Sequence, residues 1–577
     1  MTDPAPSVGL DDDAELAASV SASRGGVWLR RYGWMAVPSL ILLLGSAQFV
    51  RFLVPNTDDN QVIHSCQPLK ALRFFHSKGQ DVHKWGPLPN VLHAPAFGGL
   101  LAYWKLTGDL GRPSGDYPYG LKRPHEQLGA MIVAGRLVIL VLGMVSMAWL
   151  TWALGRASKV PLLAVFAMLA MAATEPQLVV RMASTCVDGP MMVFLGLATG
   201  FYVLIIYEGL TRLRGVLLSI SAVCAISCKE LAVPLFILTY IGIAVRGWRQ
   251  TRGARAERRT FLTNYAVTVG AGIGSYLLIN VIYCPGSWLQ RMDLVFLGTL
   301  KDPSIWADPR QTTLSYLAAT GIAVVGTLGF GGTLLLVLAA VLSIWLRPRH
   351  ALMAWLPFIS HVAIVWRSAG YMPEYFMLPL TYLGALVLVV VFGESVPLLR
   401  QRFSSSLGLK VLAGVGLAAL VVDAVGGWGM ATATRHASYN YMAERYVVEH
   451  VPRETSVGIA DFAHRNPGAS RLAYLGYEAD DRSAGEWAAQ RTSLPQVVIA
   501  DQEWLDWTRD MKLRPARAAA TTTEWSGFYD YSQFPGFEAM GYRKALTIGP
   551  ELPGWIQLQL WPLGCTIPVR TMVVYER

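Results

Sequence analysis

Two adjacent carboxylates, Asp58 and Asp59, follow an apolar run over residues 33–54, in the segment Val54-Pro55-Asn56-Thr57-Asp58-Asp59-Asn60. A carboxylate pair at the point where an apolar helix meets water can take a proton from a hydroxyl or hold a cation at the surface. The plainer role is solvation of a helix end. The cations able to meet an anion are Lys84, Arg136, Lys229, Arg310 and Arg367. Each has a plain role beside the chemical one. Lys84 suits a lysine snorkelling to an interface, and Arg136 suits a packing partner paired with a carboxylate. Lys229 and Glu230 suit a mutual pair at a turn, and Asp188 suits an N-cap for a helix opening at Pro190.

The elements that must position these residues are membrane spans. Of 577 residues, 53% are hydrophobic and 15% charged, with a mean hydropathy of +0.38. Apolar runs lie at residues 33–54, 129–154, 159–174, 190–208, 214–228, 231–245, 261–283, 314–346, 351–366, 376–393 and 410–430. At roughly 20 residues per crossing these make about eleven spans. The run at 314–346 is long for one straight crossing, and a break near Gly329-Phe330-Gly331-Gly332 is one way to fit it. Other glycine-rich pieces, such as Gly270-x-Gly272-x-Gly274, fall inside apolar runs and favour close helix packing. No Walker motif, HExxH or zinc-type Cys/His cluster is present.

Charge between the runs sets the orientation. Arg30 and Arg31, Arg156 and Lys159, Arg212 and Arg214, the series from Arg246 to Arg259, Arg347 and Arg349, and Arg400 and Arg402 all fall on one side if each run crosses once. The positive-inside rule makes that side cytoplasmic. The net charge of +10 is therefore loop charge, and no nucleic-acid partner is implied. Residues 1–32, with Asp11-Asp12-Asp13, read as a disordered cytoplasmic tail without a signal-peptide pattern.

The opposite face collects the first long loop, residues 55–128, the turns at Asp188 and Lys229-Glu230, the loops 284–313 and 367–375, and the C-terminal region. In the first loop, Leu69 to Phe75 has the spacing of an interfacial helix. Pro87 and Pro89 stop any helix, and Val91 to Trp104 reads as a second interfacial piece. Of the six cysteines, Cys224 and Cys228 share a helix face. Packed thiols are the plain reading, against an outer-face disulfide such as Cys66 with Cys284. From about residue 435 the chain turns polar and aromatic. Strand-like pieces run over Ser456–Ala460, Arg471–Leu475, Val497–Ala500 and Thr571–Tyr575, with helix-like pieces over Tyr439–His450 and Gln502–Met511. Residues 435–577 thus read as a small extracytoplasmic α/β domain beside an all-α polytopic domain over residues 33–434.

The order of these features resembles the GT-C membrane glycosyltransferases, closest to the protein O-mannosyltransferase and lipid A aminoarabinose transferase group. The resemblance lies in a first span, an acidic pair, an amphipathic piece, Lys84-Trp85-Gly86-Pro87-Leu88, an apolar piece, and a span containing Gly135-Arg136-Leu137. It continues in Ser184-Thr185-Cys186-Val187-Asp188-Gly189-Pro190, in Ser227-Cys228-Lys229-Glu230, and in Glu374-Tyr375-Phe376-Met377-Leu378-Pro379. It covers roughly residues 33–395. Asp59 stands where the family usually has Glu, Tyr375 lacks the family's preceding Arg, and His83 stands where relatives often carry an acidic residue or His.

The resemblance implies sugar transfer from a polyprenyl-phosphate donor to a protein, lipid A or other glycolipid, or cell-wall glycan, at the outer face of the inner (plasma) membrane. It makes Asp58 the base and Asp59 its runner-up. It places Lys84, Arg136, Asp188, Lys229, Glu230, Arg310, Arg367, Tyr371 and Glu374 at the donor and substrate, and it leaves Asp58, Asp59 and His83 as candidates for a divalent metal. No other cofactor is implied. The competing classes are a lipid-linked sugar flippase or transporter, which calls for repeated halves and mid-span charges, and a non-catalytic membrane scaffold, in which the outer-face carboxylates would be dispensable.

Overall fold

The computed structural model describes residues 32–50, 86–112, 118–173, 175–182, 185–283, 285–292, 313–368, 374–402, 439–460, 472–482, 494–502, 535–549 and 571–577, with single positions between 414 and 421. Fourteen helices serve the argument. They are α1 (Val37–Val50), α2 (Leu88–Thr107), α3 (Pro124–Ser158), α4 (Pro161–Met168), α5 (Pro176–Met182), α6 (Asp188–Glu208), α7 (Arg212–Cys228), α8 (Val233–Gln250), α9 (Arg255–Tyr276), α10 (Pro285–Met292), α11 (Thr313–Leu346), α12 (Ala351–Ser368), α13 (Leu380–Arg402) and α14 (Tyr439–His450).

Among the described residues, five helical stretches are individually long and apolar enough to cross a membrane: Glu126–Ser158, Asp188–Glu208, Arg255–Ile282, Ala323–Leu346 and Leu380–Leu399. Gly33–Ala47, Pro161–Ala173 and Ala351–Ala363 are shorter apolar helices. The chain is a multi-pass membrane protein by composition and helix length. The expected run at 410–430 lies largely outside the described residues.

The bundle is organised around α3 and α6, which run parallel. Ser146 donates to the Val193 carbonyl at 2.6 Å, the Trp149 indole to that of Leu197 at 3.2 Å, and Arg156 pairs with Glu208 at 2.8 Å. Gly196 and Gly200, one turn apart on α6, make this approach possible, because a Cβ there would collide with Ser146 Oγ and the Trp149 ring. In lipid, where apolar contact alone gives little drive for association, such small-residue faces are what lets helices close. Two parallel helices need a return path between them. It is supplied by α4, a π turn over Leu169–Ala173, and α5. α7 and α9 also run parallel, with Ser219 donating to the Thr268 carbonyl and Asn280 Nδ2 to Ser227 Oγ, both at 2.7 Å.

One expectation changes here and another is met. The prolines at 87 and 89 do not stop a helix: they occupy its start, where the missing N–H is harmless, and one helix of 20 residues, α2, replaces the short interfacial piece. It ends at Gly108 in the left-handed region (φ 78°). The long run at 314–346 does break at Gly329, whose φ of 71° and ψ of 173° are non-helical.

The C-terminal sheet has the order β2-β1-β3-β5-β4, with β1 (Ser456–Ala460), β2 (Glu478–Arg482), β3 (Val497–Asp501), β4 (Arg543–Ile548) and β5 (Met572–Glu576). β1 is parallel to both β2 and β3, and β5 is antiparallel to β3 and β4. Alternate residues of β3 bury on opposite faces. Val497 and Ile499 join Ala443 and Val447 of α14, whereas Val498 and Ala500 join Phe537 and Tyr542. Continuous apolar strands of this kind require both faces to be covered. Residues 472–474, inside the expected strand Arg471–Leu475, form a helical turn instead.

Gly329 gives a direct test. An alanine there meets a region of φ/ψ essentially reserved for glycine, at roughly 1–3 kcal/mol. Gly329→Ala is expected to lower the thermal unfolding midpoint in detergent. Gly321→Ala, on the same helix with open space around its Cβ, is expected to leave it unchanged or raise it. Equal midpoints for the two variants would remove the kink as a constraint.

Candidate functional site

The site is a buried charge cluster where the start of α6 meets the end of α7. Asp188 is the first residue of α6, and its carboxylate makes no cap bond; Val187 occupies the N-cap position. The carboxylate instead accepts from Lys229 Nζ at 2.6 Å and lies 3.9 Å from Arg181 Nη1. All three side chains are 6–7% exposed. Cys186 Sγ sits 3.8 Å from Asp188 Oδ2 and 3.6 Å from Arg181 Nη1. The N-cap role expected for Asp188 is therefore corrected: its carboxylate faces Lys229 and Arg181. A buried ammonium in an apolar bundle needs an anion more than a helix end needs a cap, and Asp188 supplies one.

Local backbone delivers these groups. Lys229 leaves α7 in an extended conformation (φ −155°, ψ 123°) before the short 3-10 turn Glu230–Ala232. Gly86, at the end of the first loop, lies so close to the Ser227 carbonyl that no Cβ fits. Asn280 holds Ser227 from the other side. Across the cluster, the Phe376 ring lies 5.2 Å from Lys229 Nζ. Arg136 is wholly buried on α3, and its neighbour Gly135 closes on the Thr185 side chain in the turn before α6.

Asp188 is shared by two cations, so the trio of Arg181, Asp188 and Lys229 carries one formal positive charge in excess. Two buried cations gathered at one end of a membrane bundle are groups of the kind that meet an anion such as a phosphate. The other end of the bundle has a different character. There Arg156 and Arg214 pair with Glu208, and the His350 backbone N–H and ring both bond Glu394.

Of the residues singled out from sequence, Arg136, Asp188 and Lys229 are placed, and Asp188 and Lys229 are brought into contact. Glu230 is half-buried in the turn beside Lys229. Arg367 lies on α12 and Glu374 opens a short 3-10 helix, as backbone positions. Asp58, Asp59, His83, Lys84, Arg310 and Tyr371 lie outside the described residues, as do Cys66 and Cys284. Among the described residues no group of three or more His, Cys, Asp or Glu is placed to hold a metal. Arg181 was not anticipated. An arginine inside Leu178-Val179-Val180-Arg181-Met182 was the available signal, since a charge in an apolar run marks a pathway or a partner.

No family model and no characterised protein sequence matches the chain. Among solved structures it is similar to the Saccharomyces cerevisiae protein O-mannosyltransferase Pmt1-Pmt2 complex bound to the sugar donor, at 17% identity over 44% of this chain and 34% of that one, TM-score 0.32. The chain thus spans about a third of the length of that relative. It is similar also to ArnT from Cupriavidus metallidurans bound to undecaprenyl phosphate, at 13% identity over 95% of this chain and 98% of that one, TM-score 0.44. A third likeness is to the Archaeoglobus fulgidus oligosaccharyltransferase tethered with an acceptor peptide, at 11% identity over 84% and 71%, TM-score 0.44.

Breaking a buried pair by removing one partner is expected to destabilise by about 3–5 kcal/mol, because the other charge is left behind. Asp188→Asn and Lys229→Met should each lower the unfolding midpoint strongly, and Asp188→Asn/Lys229→Met should lose much less than the sum. Additivity within about 0.5 kcal/mol in the double-mutant cycle would show that the two side chains do not act as a pair.

Proposed function

We propose that the protein is a membrane glycosyltransferase of the GT-C kind, moving a sugar from a polyprenyl-phosphate donor to an acceptor hydroxyl at the outer face of the membrane. The observation that carries this reading is the buried trio Arg181, Asp188 and Lys229, at the bundle end opposite Arg156, Arg214 and His350. If the arginine-rich end is cytoplasmic by the positive-inside rule, the trio lies toward the outer face. The order of motifs in the sequence supports the same reading.

In this reading Asp58 takes the proton from the acceptor hydroxyl, with Asp59 as the alternative base, and the oxygen attacks the anomeric carbon. The bond to the lipid phosphate breaks and its electron pair leaves with the phosphate. Phosphate is a good leaving group, so a positioned base and a cationic clamp suffice without a general acid. The clamp is drawn from Lys84, Arg136, Arg181, Lys229, Arg310 and Arg367, with Asp188 holding Lys229 in place. Glu230, Tyr371 and Glu374 border the substrate. A divalent metal at Asp58, Asp59 and His83 stays open as an addition to this scheme. The acceptor is a protein, a glycolipid or a cell-wall glycan.

Two sets of variants test the reading, assayed with a polyprenyl-phosphate-linked sugar titrated against a fixed acceptor. Asp58→Asn is expected to lose on the order of 10²-fold or more in transfer while keeping expression. Transfer near the parent rate would remove Asp58 from the role, and the same loss confined to Asp59→Asn would move it there. Lys84→Ala and Arg367→Ala are expected to shift donor dependence roughly 10- to 100-fold, as for a charge-assisted phosphate contact. Unchanged donor dependence in both would leave the clamp to Arg136, Arg181, Lys229 and Arg310.

A further inference from the structure

His361 lies at the middle of α12, wholly buried, beside the buried Ser360 in a mostly apolar helix. Its Nε2 is 2.8 Å from the Phe376 carbonyl. A carbonyl can only accept, so Nε2 carries the proton and Nδ1 is a bare acceptor. That Nδ1 is buried and makes no hydrogen bond, which is unfavourable in an apolar bundle. A leucine of similar size would fill the space without it. What the histidine supplies and a leucine cannot is the N–H to Phe376, and Phe376 is the residue whose ring lies 5.2 Å from Lys229 Nζ.

The links are continuous. His361 holds the backbone of the short helix Glu374–Met377, that helix presents the Phe376 ring to Lys229, and Lys229 bonds Asp188 at 2.6 Å. A ring face gives the ammonium a fixed contact besides the carboxylate, stronger when both are desolvated. We propose that His361 is a positioning residue for the charge cluster, fixing the Phe376 ring against Lys229 and so the direction in which the ammonium meets an anionic headgroup. The inference rests on the donor site proposed above. It adds a residue on α12 that does not itself touch the donor.

The test uses the full chain in lipid nanodiscs and a polyprenyl monophosphate as the probe, read as Kd by fluorescence titration beside the thermal midpoint. His361→Leu and Phe376→Leu are each expected to weaken the probe roughly 3- to 30-fold, the range of a desolvated cation–π contact. The double variant is expected to be no weaker than either single one, since both changes interrupt the same link. His361→Gln, whose amide can donate to the same carbonyl, is expected to regain most of the affinity. A purely structural histidine would lower the midpoint in His361→Leu and leave Kd alone. That result, or additive losses in the double variant, overturns the proposal. Lys229→Gln separates it from the functional reading, with Asp188→Asn/Lys229→Met as the substitute if the single variant does not fold. Weak binding in the Lys229 variant with parental binding in His361→Leu leaves the donor site standing and removes His361 from it. Parental binding in the Lys229 variant removes the donor site and the proposal together.

Discussion

Lys229 and Asp188 form a 2.6 Å bond between the end of one buried helix and the start of another, and much of this end of the bundle follows from it. Neither charge has water to fall back on, so each is tolerable only while the other is in place. That requirement explains why α6 begins without a capping side chain, since the carboxylate is committed elsewhere. It explains why the chain leaves α7 in an extended step at Lys229, which turns the ammonium toward α6. The close approach of Gly86 to Ser227 and the bond from Asn280 to Ser227 then hold that step from two directions. Arg181 adds a second cation to the same carboxylate.

The two ends of the bundle handle charge in different ways. At one end, Glu208 is shared by Arg156 and Arg214, with Arg156 half-exposed. Pairs of this kind contribute little to stability and are readily solvated. At the other end the Arg181, Asp188 and Lys229 side chains are buried, and close glycine contacts and a short turn set the backbone around them. Surface charge of the first kind orients a chain in a bilayer, whereas buried charge of the second kind is kept for a ligand or a partner.

The sequence made the helical spans, the Gly329 break and the residues Asp188 and Lys229 legible, because hydropathy and a charge inside an apolar run are local signals. It did not show which charges meet. Lys229 and Glu230 are neighbours in the chain, so their pairing is a local reading; the contact to Asp188, 41 residues away, depends on α6 and α7 being antiparallel neighbours. Pro87 and Pro89 misled for a related reason, since proline interrupts a helix interior but fits its first turn. Arg181 was readable in principle and overlooked. His361 and Phe376 were not readable, because a lone histidine and a lone phenylalanine acquire meaning only through a tertiary contact. In the C-terminal sheet, β1, β3 and β5 announced themselves as continuous apolar strands. β2 (Glu-Ala-Asp-Asp-Arg) and β4 (Arg-Lys-Ala-Leu-Thr-Ile) are edge strands rich in charge and gave no such signal.

The return path between α3 and α6 bears on how the chain enters a bilayer at all. Residues 161–182 are divided by a π turn and by Pro176, and they carry Glu175 and Arg181 among buried alanines and methionines. Irregular backbone and paired charges at membrane depth are tolerated only inside protein. This stretch therefore makes a poor independent passenger for the insertion machinery. It is tolerable in a bilayer only with α3 and α6 packed over it, and the charge cluster is complete only once α7 brings Lys229 to Asp188.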